Sequence, residues 1–345
     1  MHNIVYLYAE LQPSTINVIR ELLKIKDVKI FVVHWDNNKL APYMTPAIKN
    51  VVYINRSEFC AGTLYRKIIE INPSIIYTSG WMDGAYLSVC KKIKGNLDIP
   101  IIAGSDTKWK GGKQWINVIA SPIKHRRCFT HIHVAGIWQY EYARRLGFSE
   151  SKILMHNLSA DVSILERVKI EHKMNNYPRK LLFIGRFYPV KGLKFLVDAW
   201  DKIENKNEWV LTLVGSGPEK EMLLKHSAIE VKNFMSQEQL VFEFQDAGCF
   251  ILPSIEEPWG VVLHEAAAAG LPILSSNICG AVPYFVMNNY NGITFPPGNV
   301  EQIKIALEKI INSEDVDLLE MSHNSRKLSQ RITPEIVART LLSVL

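Results

Sequence analysis

Short runs of Ile, Val and Leu alternate along the chain with segments whose apolar residues recur at helical spacing. In the first half the pattern predicts strands at Ile4–Tyr8, Lys29–His34, Val51–Ile54, Ser74–Thr78, Ile99–Ala103, His131–Ala135 and Ile153–Met155. Amphipathic segments such as Thr15–Ile25 and Leu64–Ile71 lie between them. In the second half strands are predicted at Lys180–Gly185, Trp209–Val214, Ile229–Val231, Cys249–Leu252, Pro272–Ser275 and Gly292–Phe295. Helices are predicted at Leu193–Lys202, Glu219–His226, Gln237–Asp246, Val261–Ala269 and Val300–Ile311. The strand runs do not alternate cleanly between apolar and polar, as expected for parallel strands covered on both faces. A βα pattern repeated in each half argues for two doubly wound, Rossmann-like α/β domains.

The polar, turn-rich stretch 166–179 reads as a linker between a domain at 1–165 and a domain at 180–326. The last helix, "TPEIVARTLLSVL", opens on Thr333-Pro334, a suitable cap and first-turn pair. Residues 327–345 are expected to complete the first domain. The length of 345 residues suits two domains.

Composition changes this picture little, and charge changes it more. Apolar residues make up 48% and charged residues 21%, ordinary values for a globular chain. No run of eighteen apolar residues predicts a membrane span. The opening "MHNIVYLYAELQPS" reads as a first strand rather than a signal peptide. The five cysteines are scattered without CxxC spacing, which argues against a disulfide framework or a zinc site and makes a reducing cytoplasm the simplest setting. The net charge is +6. Residues 1–165 hold about 21 Lys and Arg against about 12 Asp and Glu, so the positive excess belongs to the first half. A basic half suits nucleic acid, an anionic lipid or an anionic substrate, or is a solvated surface.

Candidate chemistry gathers where the second-half strands end, the edge at which open parallel sheets bind ligands. Gly185 and Arg186 follow the first of these strands, with Lys191 soon after; Gly215 follows the second; Asn233, Phe234 and Met235 follow the third. Ser254, Glu257, Trp259, Gly260 and Val261 follow the fourth, with Glu265 beyond. A guanidinium fork and an ammonium suit a diphosphate, or form a surface ion pair. "GSGP" could let a backbone approach phosphate but lacks the Lys-Ser/Thr of a P-loop, and on its own it reads first as turn glycines. Pro258-Trp259-Gly260 reads as the start of a helix that stops at Gly270. Eight helical residues between Glu257 and Glu265 would rise about 12 Å. Paired glycosidase carboxylates stand roughly 5 to 9.5 Å apart, so a hydrolytic acid/base pair is a poor reading. A helix N-terminus between two carboxylates suits a ligand with anionic groups in its middle and hydroxyls at two places. A nucleotide-sugar has that layout.

"GRFYPVKG", "LVGSGPEKEML" and "PSIEEPWGVVLHEAAAAGLPIL" resemble the retaining glycosyltransferases of group 1, also called family 4. The E-x7-E motif of that family matches Glu257 and Glu265. The resemblance is strong over roughly residues 180 to 300 and weaker in "LGFSESKILMHNLSAD". It implies the GT-B fold, two Rossmann-like domains facing across a cleft, and a hexosyltransferase that needs no bound metal or other cofactor. Arg186 and Lys191 would hold the diphosphate and stabilise the leaving group. Glu265 would bind ribose hydroxyls. Glu257, with amides near Trp259, Gly260 and Val261, would hold sugar hydroxyls and phosphate. Asn233, Phe234 and Met235 would border the base. The chain departs from the family pattern in "AELQPS", where Glu10 or Gln12 replaces a Gly-Gly phosphate loop, and in "AGSDTKWKGG", where Ser105 and Asp106 stand near the place of a family histidine. Asp106 is expected to face the donor sugar or the acceptor, or else to cap a helix. His131 and His133, two apart on a strand, read as structural. Asp315-Val316-Asp317 reads as a solvated cap in a polar turn rather than a metal motif.

The implied partners are a nucleotide-sugar donor, UDP-sugar favoured over GDP-sugar on family frequency, and a glycan or lipid-linked glycan acceptor from cell-envelope polysaccharide synthesis. The basic stretches "KWKGGKQW" and "KHRRC" suggest peripheral contact with an anionic membrane face or a lipid-diphosphate acceptor. No recognition motif supports nucleic acid. The alternative activities are a sugar-nucleotide epimerase, a phosphorylase, or a catalytically silent subunit that binds a nucleotide-sugar.

Overall fold

The computed structural model describes residues 1–36 and 45–345. The chain packs as two compact units, Met1–Ser159 with Pro334–Leu345, and Ala160–Thr333.

The first unit is built on a seven-stranded parallel sheet. Its strands are β1 (His2–Tyr8), β2 (Val28–His34), β3 (Val51–Asn55), β4 (Ile75–Thr78), β5 (Ile101–Ser105), β6 (His131–Val134) and β7 (Ile153–Met155), in the order β3-β2-β1-β4-β5-β6-β7. The second unit has six parallel strands, β8 (Lys180–Ile184), β9 (Val210–Val214), β10 (Ile229–Lys232), β11 (Cys249–Leu252), β12 (Ile273–Ser276) and β13 (Gly292–Phe295), in the order β10-β9-β8-β11-β12-β13. Every residue of β4, β11 and β12 is buried, because helices cover both faces of each sheet. The strands expected from the apolar runs are all present, three with the expected bounds and the rest with ends shifted by one or two residues.

Helix boundaries follow local capping chemistry. Asp83 accepts from the amides of Ala85 and Tyr86 and opens the helix Gly84–Asn96. Ser236 and Gln239 form a capping box at Gln237–Gln245. Helices Gly84–Asn96, Gln114–Lys124, Ile137–Arg145 and Asp315–Ser329 add to those expected. The expected helix Glu219–His226 shortens to Lys220–Leu223. Asp315 and Asp317 lie in the first turn of a helix, not in a polar turn, where their charge complements the helix dipole. Asp315 accepts from Arg179 at 2.6 Å.

The stretch 166–179 differs from the expected linker: it is a strap packed into the second unit. Val168, Ile170 and Tyr177 are buried among intervening polar residues. The Tyr177 hydroxyl donates to the Gly248 carbonyl at 2.8 Å, and the buried Lys173 ammonium donates to the Ala247 carbonyl at 2.7 Å. Interleaved charges hide this apolar set from a composition reading. At the other end, residues 327–333 stay in the second unit, where Leu328 and Ser329 are buried at the end of helix Asp315–Ser329. Only Pro334–Leu345 joins the first unit, as a helix with Val337, Ala338 and Leu341 buried.

In each sheet the strand order reverses once, between β1 and β4 and between β8 and β11. Loops leaving neighbouring strands diverge at such a point, which opens a crevice at the carboxyl edge.

Candidate functional site

The loops that leave β8 and β11 carry the main candidates of the second unit, and backbone contacts clamp them together. The amides of Ile255 and Glu256 both donate to the Val190 carbonyl, at 2.9 and 3.2 Å. Gly192 allows this approach. Its φ is +69°, and a Cβ there would lie 2.3 Å from the Pro253 carbonyl oxygen. The same principle holds the β9 loop, since a Cβ on Gly215 would lie 1.9 Å from the Gly185 carbonyl oxygen. The Gly185 amide in turn donates to the Val214 carbonyl at 3.0 Å.

The clamp sets Lys191 against Glu257 as a close ion pair with both side chains largely buried. The Ser254 hydroxyl, also buried, stands 3.5 Å from the same carboxylate oxygen. Arg186 is exposed, lies over the Tyr188 ring at 5.4 Å and has no carboxylate partner among the described residues. A partly desolvated ammonium and an unpaired guanidinium on the one loop that leaves β8 make a cationic locus of the kind that takes phosphate oxygens.

Trp259 and Gly260 do not begin the helix, as the sequence suggests they would. The helix spans Val261–Ala268, and Gly260 is its N-cap in the left-handed conformation. Trp259 is buried against Tyr284 and Phe285, with ring centroids 5.5 and 6.4 Å away, and its carbonyl accepts from the Ala281 amide at 2.9 Å. Trp259 therefore anchors the loop by packing. The Leu263 amide turns back to the Gly260 carbonyl at 3.0 Å, while the Val261 and Val262 amides ahead of it have no acceptor within the helix, so this end favours an anion.

Glu265 lies one turn further on. It is half-buried, and its carboxylate forms no hydrogen bond or ion pair among the described residues. Burial pushes its pKa from 4.5 up to about 7, with the nearby charge of Asp161 adding to the shift. A carboxylate held without a partner is poised to accept hydrogen bonds from a ligand. The adjacent His264 is structural. Its Nδ1 accepts from the Ala160 amide at 2.8 Å, so Nε2 carries the proton and donates to the Ser329 carbonyl at 2.8 Å. Its ring stacks on Phe285 at 4.2 Å, and burial pushes its pKa down to about 4.

Asn233, Phe234 and Met235 follow β10 at the same sheet edge. Asn233 accepts from the Lys220 ammonium at 2.7 Å, and Phe234 is 66% exposed. The sequence reading missed two further groups. Asp161 acts on Glu265 from a distant part of the chain. Glu219, directly after "GSGP", has a buried carboxylate oxygen without a hydrogen-bond partner and a pKa raised by desolvation. An acid after a Gly-Pro turn is the only signal the sequence offered for it.

In the first unit Glu10 and Gln12 follow β1, and Ser105 and Asp106 lie at the end of β5, all at the carboxyl edge of that sheet. Gln12 is the N-cap of helix Pro13–Ile25 but makes no side-chain cap bond. The Ser105 hydroxyl accepts from the Thr107 amide at 3.3 Å. Asp106 is exposed and caps no helix, since the next one starts at Gln114. Its charge raises the pKa of Tyr8, after the larger effect of burial. His131 and His133 are buried in β6 with pKa values pushed down by desolvation to about 4, and His133 Nε2 donates to the Met155 carbonyl at 3.0 Å.

Residues 165–328 match the family model described as glycosyl transferases group 1. A glycosyltransferase of Haemophilus influenzae is 31% identical over 158 residues, covering 44% of this chain and 44% of that protein. The capsular polysaccharide biosynthesis glycosyltransferase CapM of Staphylococcus aureus is 26% identical over 66% of this chain and 60% of its own. The chain thus spans less than two thirds of the length of either curated relative. The crystal structure of Anabaena HepE in complex with UDP and glucose superposes with a TM-score of 0.73 at 14% identity, covering 99% of both chains. The family match thus falls within the second unit, in a chain whose two parallel-sheet α/β units have the GT-B fold.

Proposed function

We propose that this chain is a glycosyltransferase that moves a sugar from a nucleotide-diphosphate donor to a glycan or lipid-linked glycan acceptor, with retention at the anomeric carbon. One observation carries the reading: at the strand-order reversal of the second sheet stand an unpaired Arg186, the Lys191–Glu257 pair, an open helix N-terminus and an unpartnered Glu265. In this reading Glu265 accepts from the ribose hydroxyls, and the diphosphate lies at the first turn of helix Val261–Ala268. Lys191 takes a phosphate oxygen while Glu257 takes a sugar hydroxyl. Because these two side chains touch, they put phosphate and sugar side by side, where the bond to be broken lies.

The anomeric C–O bond breaks with its electron pair passing to the diphosphate. The acceptor oxygen bonds to the anomeric carbon on the face just vacated, and the acceptor hydroxyl passes its proton to the departing diphosphate oxygen on that face. Negative charge grows on the departing diphosphate, so Arg186, Lys191 and the helix amides contribute most there. They supply this charge without a metal ion or other cofactor. Phe234 and its neighbours border the base. Asp106, Ser105, Glu10 and Gln12, at the carboxyl edge of the first sheet, serve the acceptor.

UDP-sugars are the favoured donors, a choice supported by the UDP and glucose bound to HepE. CapM, named for capsular polysaccharide biosynthesis, supports an acceptor from cell-envelope polysaccharide synthesis. The test is a melting screen with UDP, GDP, ADP and their sugars, followed by transfer assays with the stabilising donor. A nucleotide present at 100 times its Kd stabilises the native state by about 2.7 kcal/mol. No shift with any nucleotide at millimolar concentration would refute the reading. Turnover is expected to persist in EDTA, and its loss there would refute the metal-free mechanism.

A further inference from the structure

The helix Gln114–Lys124 of the first unit turns an apolar face outward. Trp115, Ile116, Ile119 and Ile123 are 51, 69, 78 and 71% exposed. At 3.6 residues per turn they fall within an arc of about 100° on one side of the helix. The opposite side holds the helix in place. Ser121 is buried and donates to the Leu146 carbonyl at 2.6 Å, and Val118 packs on the core. Trp115 is braced at its base, with the Trp109 ring 5.2 Å away edge-on and the Arg145 guanidinium 5.9 Å above it. A braced, half-exposed indole is an amphipathic side chain suited to a boundary between water and an apolar phase.

Charge around this face is mostly positive, the exception being the Glu141 carboxylate that pairs with Arg145 at 2.7 Å. Between Asp106 and Glu141 the chain has no acidic residue. Lys113 and Lys124 stand at the two ends of the helix, followed by exposed Arg126 and Arg127. None of these four has a carboxylate partner among the described residues. A concave surface of about 410 Å³ adjoins the C-terminal end of the helix and is lined by Lys94, Arg126, Arg127 and Lys152 among others. The Lys94 ammonium is held by the Arg126 and Phe129 carbonyls at 2.5 and 2.6 Å, and Arg126, Arg127 and Lys152, without carboxylate partners among the described residues, are left to meet anionic oxygens.

We propose that this helix docks onto an anionic lipid bilayer, lying in the interface with its isoleucines among the acyl chains and its cations on the headgroup phosphates. The order of the features matches the order of the layers: an apolar stripe, a tryptophan at its border, and cations at both ends. A second copy of the same surface fits poorly, since self-association would set like charges against each other. Vesicle binding needs no donor. It can fail while nucleotide binding by the second unit holds, and the reverse.

The test is co-flotation of the full chain with vesicles of phosphatidylcholine alone or with 30% phosphatidylglycerol, at low and high salt. The chain is expected to float with the anionic vesicles at low salt and to stay behind with the neutral ones. Arg126→Ser/Arg127→Ser should weaken this binding about tenfold or more. Ile119→Ser/Ile123→Ser should do the same at about tenfold or more, because inserted apolar area is lost. These side chains are exposed, so the melting temperature of each variant should match the parent, which separates lost docking from lost fold. No flotation with anionic vesicles at low salt would overturn the proposal. So would binding indifferent to the isoleucine pair, or a concentration-dependent dimer that the isoleucine variant abolishes.

Discussion

Glu265→Gln is expected to make the second unit more stable at pH 8 and poorer at holding a nucleotide. The folded environment raises the Glu265 pKa from 4.5 to about 7 through burial and the neighbouring Asp161 charge. The native state therefore binds this proton more tightly than the unfolded chain does. Below pH 4.5 both states are protonated and Glu265 costs nothing. As pH rises towards 7 the unfolded chain ionises freely while the native carboxyl resists, and stability falls to a plateau above pH 7. A shift of about 2.5 units at 1.36 kcal/mol per unit sets an upper bound of about 3.4 kcal/mol. Residual solvent at this half-buried group reduces the bound to about 1–3 kcal/mol. Glutamine keeps the shape and cannot ionise, so it recovers that amount at pH 8 and most of the difference disappears by pH 5. The assay is denaturant unfolding of parent and variant at both pH values, following the transition that a bound nucleotide shifts. Nucleotide affinity should fall about tenfold or more in the variant, since hydrogen bonds to a charged acceptor contribute about 1.5–3 kcal/mol. A variant less stable than the parent at pH 8, or a stability difference independent of pH, would refute the reasoning.

Arg186→Ala should leave the melting curve within about 0.5 kcal/mol of the parent, since the side chain is exposed and unpaired. It should lower turnover by about 10²–10³, and steady-state kinetics with near-parent turnover would contradict its role at the diphosphate. Gly192→Ala places a Cβ 2.3 Å from the Pro253 carbonyl oxygen at positive φ, so a loss of about 1–3 kcal/mol is expected in unfolding titrations, together with weaker nucleotide binding as Lys191 moves. His264→Ala abandons the buried Ala160 amide and Ser329 carbonyl and should cost about 2–4 kcal/mol in stability. Turnover of the folded variant should stay near the parent value, and a selective loss of turnover would give His264 a part in the reaction.

Particular residues mark where the sequence was legible. The bounds of β7, β11 and β13 coincide with the apolar runs that predicted them, because strands buried on both faces need unbroken apolar stretches. Arg186, Lys191, Glu257 and Glu265 stood out because charged residues at strand ends serve no sheet. The strap at 166–179 was not legible, since its buried Val168, Ile170 and Tyr177 alternate with charges. Helix Gln114–Lys124 was not legible either. Its apolar spacing is the same whether the face packs inward or meets solvent, and only the packed structure leaves Ile119 at 78% exposure.

By itself, then, the sequence determined the strands, the two-sheet α/β class and the strand ends on which the candidate groups stand. These are local properties, written in the periodicity of burial. Tertiary structure decided that Lys191 pairs with Glu257 across 66 positions of chain, that Asp161 acts on Glu265, and that the unit boundaries fall at Ser159 and Thr333. Pairing, desolvation and exposure depend on which distant segments come to lie against a residue, and no window of neighbouring residues contains that information.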